Sequence, residues 1–535
     1  MRSVVVDSLP DEAREPGLVL DPILSGDVFH TIRRRLEALA NEIAQQHDPY
    51  AWLWYIRRLP VDVFKGHLST TASYDWLLAE ALSASSSTPV DYETHDGQVA
   101  YPLSVEALEP VARLVILARS ISHTHSMIRR AGKGISFRPN PAGMPEPIPN
   151  LELEAAISNY DTRVAEDRAG LHAGTRVLSF DPTELGFVPL LAVGAVKDFV
   201  FKEVKGWIGP LEAALDDRER LVRTIGRFLP VFLRLDEIAE ILSMSGGRGK
   251  VWWKDELPSL IILLQCLAIH TVRVSDAAGI NLPKVGYLVI PRQTTLEMLD
   301  TWLDPAGDQL QRVLPEASLP TDGAQVLATV ERITPAPWPF EPGPVVRPAK
   351  EQLIFDVVAA QHRLQRYLTI PSQLGGQLVN SRATHFELVV QEAIDDSLWK
   401  PPEPIRDIRG RTLNIAGQAV TDIDAIAAQG SKLLLVSCKS IPIDSNYDAG
   451  VYDTVRNRRT DLEGYLADWD KVILRLQSSP AGDNFDFSSF AELHGVVCTP
   501  HVMYLGELSE RIELQIGNRT LHAVCSVGEL KSFLN

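Results

Sequence analysis

The chain has 535 residues, 45% of them hydrophobic and 23% charged, which suits a soluble multidomain protein with sizeable cores and excludes an extended disordered chain. A formal net charge of −17 excludes a protein that grips nucleic acid through a broad basic field, though not one with a local basic rim. The four cysteines, Cys266, Cys438, Cys498 and Cys525, lack CxxC spacing, so free thiols in a reducing compartment are expected rather than a zinc site or a disulfide framework.

The first residues carry Asp7, Asp11 and Glu12 and no apolar run behind a basic start, so no signal peptide is expected. The apolar stretches Leu185–Val196 and Leu257–Val272 fall short of the ~20 residues a bilayer requires. They read as buried core helices of a cytoplasmic protein. Two proline-rich stretches, Arg138–Asn150 and Thr334–Pro348, cannot continue a helix or a central strand and read as linkers or long surface loops. They divide the chain into 1–137, 150–333 and 350–535.

The first segment is expected to be mainly helical, with helices over Asp27–Gln46, Tyr74–Ser85 and Val105–Arg130, where apolar residues recur three or four apart. The middle segment mixes expected helices at Leu211–Leu229, Leu233–Met244 and Leu257–Val272 with a strand at Val285–Ile290. His123-Thr124-His125 places two histidines two apart on a helix, where they point in different directions and make a poor ligand pair. Gly246-Gly247-Arg248-Gly249-Lys250 lacks the leading glycine and the Ser/Thr of a phosphate loop: those places hold Met244 and Val251.

The third segment changes character. Helices are expected at Glu351–Leu368 and Ala383–Leu398, strands at Ile405–Ile415, Ala419–Ala427 and Lys432–Ser440, a helix at Asp448–Leu476, a strand at Gly495–Thr499, and strand-like runs at Arg511–Ile516 and His522–Cys525 before a terminal helix. Gln429-Gly430-Ser431 supplies a hairpin turn. Side chains alternate along a strand, so Asp422 and Asp424 share a face, as do Ser437 and Lys439, while Cys438 points to the other side. A lysine at the end of an apolar strand, opposite aspartates on its neighbour, is costly to bury without a purpose. Magnesium takes one or two carboxylates plus waters and phosphate oxygens, and an ammonium beside it can orient a water and stabilise developing negative charge.

Helix, hairpin with D…xxK, helix, strand resembles the PD-(D/E)xK nuclease superfamily, over the 155 residues from Ser381 to Asn535. The resemblance implies an α+β multidomain protein: a mainly helical N-terminal two-thirds, then a restriction-endonuclease-like α/β domain with a mixed four-stranded core sheet. It implies an Mg2+-dependent nuclease acting on nucleic acid, DNA first, with bacterial antiviral defence as a role suggested by architecture alone. Asp424 matches the first strand carboxylate, Lys439 the lysine, and Glu387, in H-F-E-L-V-V, the helical glutamate near the metal. Ser437 departs from the pattern, since the family places an acid there. In S-x-K members the carboxylate comes from the following helix. Asp453, fourteen positions after Lys439, is the expected replacement, ahead of Asp448, Glu463 and Asp422. The implied metal set is therefore Asp424, Asp453 and Asp422, with Lys439 and Glu387 completing the catalytic group. Arg456 and Arg459 are expected to contact nucleic acid, with Arg458 in the same cluster. The helical N-terminal region would recognise a substrate or protein partner, or mediate homo-oligomerisation. The alternative is a catalytically inactive nuclease-like domain serving as a nucleic-acid-binding or protein-assembly module, with Ser437 marking the lost metal site.

Overall fold

The computed structural model describes residues 17–58, 72–95, 98–102, 104–140, 143–173, 187–193, 228–244, 253–278, 286–333, 343–368, 377–441 and 445–535. All but the last two residues of the expected helix Leu211–Leu229, the glycine-rich turn at 246–250 and most of the second proline-rich stretch lie outside them; Phe228 and Leu229 begin a strand rather than end a helix.

The N-terminal part is built from α1 (Pro22–Ala44), α2 (Pro49–Arg58), α3 (Ala72–Ser83), α4 (Val105–Gly132) and α5 (Leu151–Ala173), with short strands β1 (Glu93–His95), β2 (Gln98–Ala100), β3 (Phe137–Arg138) and β4 (Glu146–Pro147). Asp21 caps α1 by accepting from the Leu24 amide at 2.9 Å, with Pro22 in the first helical position where its missing donor costs nothing. Val28, Phe29, Ile32, Leu36 and Ala40 recur at helical spacing and are buried against Leu114, Ala118, Ile121 and Ile128 of α4. At the first proline-rich stretch β3 pairs antiparallel with β4, Phe137 opposite Pro147 and Arg138 opposite Glu146.

The middle part holds β5 (Phe187–Val193), β6 (Phe228–Arg234), α6 (Leu235–Met244), α7 (Glu256–Ala278), β7 (Tyr287–Pro291), α8 (Arg292–Val313), α9 (Gly323–Glu331), β8 (Val346–Ala349), β9 (Gln352–Asp356) and α10 (Val357–Leu368). Two expectations are corrected. The apolar run at 185–196 contains strand β5, paired antiparallel with β6, rather than a helix. The expected helix at Glu351–Leu368 starts only at Val357, because Leu353, Ile354 and Phe355 form a buried strand between β7 and β8. Asp356 ends that strand and caps α10 through the amides of Val358 and Ala359. Asp356 also ion-pairs with Arg57 at 3.1 Å, and Arg57 pairs with Glu80, so a buried charge cluster joins this sheet to α2 and α3. α7 is a buried core helix as expected, and among the described residues no helix is long and apolar enough to cross a membrane.

The C-terminal part runs α11 (Gln377–Asp395), the single turn α12 (Glu403–Arg406), β10 (Thr412–Ile415), β11 (Gln418–Asp422), β12 (Ala425–Gln429), β13 (Lys432–Cys438), the turn α13 (Ser445–Asp448), α14 (Tyr452–Ser478), β14 (Glu492–Thr499), β15 (Ile512–Ile516), β16 (Arg519–His522), β17 (Val524–Ser526) and α15 (Val527–Leu534). A mixed four-stranded sheet has the order β12-β13-β14-β17, antiparallel at the first pair and parallel at the other two. Gly430, at φ +59°, makes the two-residue β12–β13 turn. The expected strand Ala419–Ala427 is two strands. β11 pairs with β10 in a separate hairpin, and the chain turns at Ile423-Asp424 before β12 enters the main sheet.

The main sheet is buried on both faces. Leu433 and Leu435 join Leu462, Leu466, Trp469 and Ile473 of α14 on one side; Leu434, Val436 and Cys438 join Phe386, Val390 and Ile394 of α11 and Leu530 of α15 on the other. The first of these apolar layers is continuous with the core of α1, α4 and α5. Gly132 makes the closest approach there: a Cβ on it would sit 2.0 Å from the Gly450 carbonyl oxygen, so both chains need glycine at this crossing.

Candidate functional site

Asp424 stands at the C-terminal end of β13, where the β12–β13 ladder stops. The last paired residues are Ala425 and Val436. Beyond them the Asp424 side chain replaces the backbone partner, accepting the Cys438 amide at 2.7 Å through Oδ2. The Ser437 hydroxyl hydrogen-bonds to the same carboxylate. Gln391 of α11 donates its side-chain amide to the Asp424 carbonyl. The acid is thus held from β13 and α11 at once, which fixes its direction.

Lys439 follows directly. Its amide donates to the Cys498 carbonyl at 2.8 Å, so the backbone is anchored between β13 and β14. Its Nζ lies 5.4 Å from the ring centroid of Tyr465 on α14. The Lys439 charge acts on both Asp424 and Glu387. Burial raises the proton affinity of Asp424, an effect the Cys438 amide and Lys439 oppose. Burial also raises that of Glu387; the Asp424 charge adds to it and Lys439 opposes it. Two half-buried acids repelling one another beside one ammonium form a place where a cation is favoured.

The sequence-predicted residues separate into two groups. Glu387, Asp424 and Lys439 come together, with Ser437 beside them as a donor to Asp424 rather than as a second acid. Asp422 acts on Asp424 only by charge, because its exposed carboxylate accepts from the Thr412 hydroxyl on the separate hairpin. Asp453 does not join them. Its carboxylate is 65% exposed and pairs with Arg456 at 3.1 Å. Tyr465 marks where α14 passes Lys439, and Asp453 lies twelve residues earlier, ~18 Å along the axis and ~120° around it. Among the described residues no three carboxylate, imidazole or thiol side chains converge as a ligand set. Two carboxylates with water oxygens remain sufficient for magnesium.

The arginine expectation shifts likewise. At ~100° per residue, Arg456 lies ~180° from Tyr465 and Arg459 ~120° away, whereas Arg458, seven residues before Tyr465, shares its face. Arg459 pairs with Glu463 at 3.3 Å. Gln391 was visible as the residue four after Glu387 on one helix face. Tyr465 had no local signal, since its role depends on a helix crossing a strand 26 residues away. His123 is exposed and His125 buried, in keeping with their opposed directions, and all four cysteines are free and buried.

Compared with known proteins, the chain matches no family model, no curated protein and no solved structure.

Proposed function

We propose that the C-terminal part is a PD-(D/E)xK-type nuclease of the S-x-K kind, hydrolysing nucleic-acid phosphodiesters with Mg2+. The convergence of Glu387, Asp424 and Lys439 at the end of a mixed sheet carries this reading. Asp424 and Glu387 hold the cation; the Cys438 amide and Ser437 hydroxyl occupy part of the Asp424 carboxylate and aim the rest of it. A bound Mg2+ supplies a Lewis acid for a phosphate oxygen and a more acidic water. Lys439 would orient a water and balance negative charge as it develops, its backbone anchored to the Cys498 carbonyl and its head flanked by Tyr465. DNA is the proposed substrate.

One observation favours a second reading. Ser437 is satisfied by Asp424, so the position where the family carries an acid contributes a hydroxyl and the ligand set is short by one charge. In that case the domain binds nucleic acid or assembles with partners without cutting. Cleavage of plasmid and of single-stranded DNA with and without Mg2+, comparing wild type with Lys439→Ala, separates the two. The nuclease reading expects a metal-dependent rate lowered at least ~100-fold by the variant, as for loss of a transition-state donor. Equal residual rates would leave the non-catalytic reading.

A further inference from the structure

From residue 110 to 145 the chain contains six Lys/Arg (Arg113, Arg119, Arg129, Arg130, Lys133 and Arg138) and no Asp or Glu, within a protein of net charge −17. Most of this stretch lies in α4. The segregated charge is not neutralised by its surroundings in full. Arg113 pairs with Glu109 at 2.6 Å, Arg130 with Glu154 at 3.0 Å and Lys133 with Asp161 at 2.9 Å. Arg119, exposed, and Arg129, half-buried, make no ion pair among the described residues. Helix α1 packs along α4 and adds cations. Arg33 Nη1 lies 3.4 Å from His125 Nε2 and pairs with Glu37, while exposed Arg34 hydrogen-bonds only to Thr31. Asp27 and Glu37 are the acids on this side. Both nearby histidines are lowered first by burial and then by these cations. Burial, then Arg33 and Arg129, push His125 down to about 3, and burial with Arg119 lowers His123.

This basic face adjoins the candidate site. Arg129 touches Gly450, two residues before α14 begins. Tyr465, against Lys439, lies thirteen residues into that helix, ~20 Å along its axis. At ~3.4 Å per base pair that distance spans about six base pairs.

We propose that the acid-free stretch of α4 beyond Glu109, with Arg119 and Arg129 its cations without an ion pair among the described residues, is a phosphate-tracking surface that holds the nucleic-acid backbone about six base pairs from the Lys439 site. The surface rests on the nuclease reading for its purpose, but binding can be measured apart from cutting. Counterion release makes each phosphate contact visible as ~0.9 in the slope of log K against log salt for duplex DNA.

The test is fluorescence anisotropy of the full chain in EDTA, with labelled duplex DNA and the matching single strand, over a salt series. Wild type is compared with Arg119→Gln/Arg129→Gln and with Lys471→Gln, a lysine paired with Asp468 on the distal part of α14. The expected result is a double variant whose slope is shallower by about 2 on duplex and whose affinity falls at least about tenfold, with Lys471→Gln like wild type. The same loss confined to the single strand identifies that strand as the ligand and upholds the surface. An unchanged slope in the double variant, or a wild type that binds neither strand form, overturns it. Wild type that binds through this face yet never cleaves contradicts the nuclease reading and upholds the surface; wild type that cleaves while the double variant binds equally contradicts the surface alone.

Discussion

Asp424 and Glu387 each bind a proton more tightly in the folded chain than in the unfolded one, for the same first reason, burial, with the Asp424 charge adding to it at Glu387 and the Asp422 charge at Asp424. Below about pH 4 both states hold the protons and the pair is neutral to stability. As pH rises from the ordinary carboxylate range through the raised folded values, ionisation costs more in the folded state, so this pair's contribution falls with pH. If these two acids hold Mg2+ as proposed, binding would require the ionised pair and release the protons. Thermal melts with and without Mg2+ should therefore show a metal-induced rise in Tm that grows from about pH 5 to about pH 7. A rise that is pH-independent would contradict the assignment of these two acids as ligands.

At the scale of elements, the crossing of α4 with the start of α14 joins the basic face to the site. Gly132 and Gly450 let the backbones meet, and Gly450 adopts φ +76°. Gly132→Ala should destabilise the chain by about 3 kcal/mol, because the new Cβ meets backbone rather than a flexible side chain. Urea denaturation would read it as a lowered midpoint at constant m; an unchanged midpoint would show that the helices can part without loss. These elements also show what could be read from the sequence. The β12–β13 hairpin, its glycine turn and the helix after it were legible because short continuous apolar runs flanking a turn glycine, and a long amphipathic run after them, are local signals. The break at Ile423-Asp424 was not, since Asp424 leaves the ladder only because its carboxylate takes the Cys438 amide. Strand β9 was hidden behind the helical pattern of α10, although Asp356 was available as a cap. Glu387 was expected only from the family resemblance, whereas that Asp424 and Lys439 lie near one another was legible from strand alternation. The placement of Asp453, Arg456 and Arg459 was not, because the orientation of α14 is set by packing on the sheet.

Across the whole molecule, the helical N-terminal part and the sheet domain share an apolar core despite the proline-rich stretch between them. Arg163 of α5 is the polar counterpart of that contact. Only 5% exposed, it reaches Glu529 at 2.7 and 2.9 Å, the Ser509 carbonyl at 2.9 Å and the Val524 carbonyl at 2.8 Å, beside the Asp167–Ser526 hydrogen bond. Replacing it strands one carboxylate and two carbonyls. Arg163→Met should cost about 3–5 kcal/mol, seen in calorimetry as a lowered Tm with the sheet domain melting first. No change in Tm would mean that the apolar contact alone joins the two parts.

The central claim is that Asp424, Glu387 and Lys439 form the reactive group and that Asp453 stands outside it. The most direct measurement is the Mg2+-dependent cleavage rate of one DNA substrate by wild type, Asp424→Asn and Asp453→Asn, each shown to be folded. The geometry predicts loss of at least ~100-fold for Asp424→Asn and a near wild-type rate for Asp453→Asn, whose carboxylate pairs with Arg456 in solvent. Equal rates for wild type and Asp424→Asn, or a collapse of activity in Asp453→Asn alone, would contradict it.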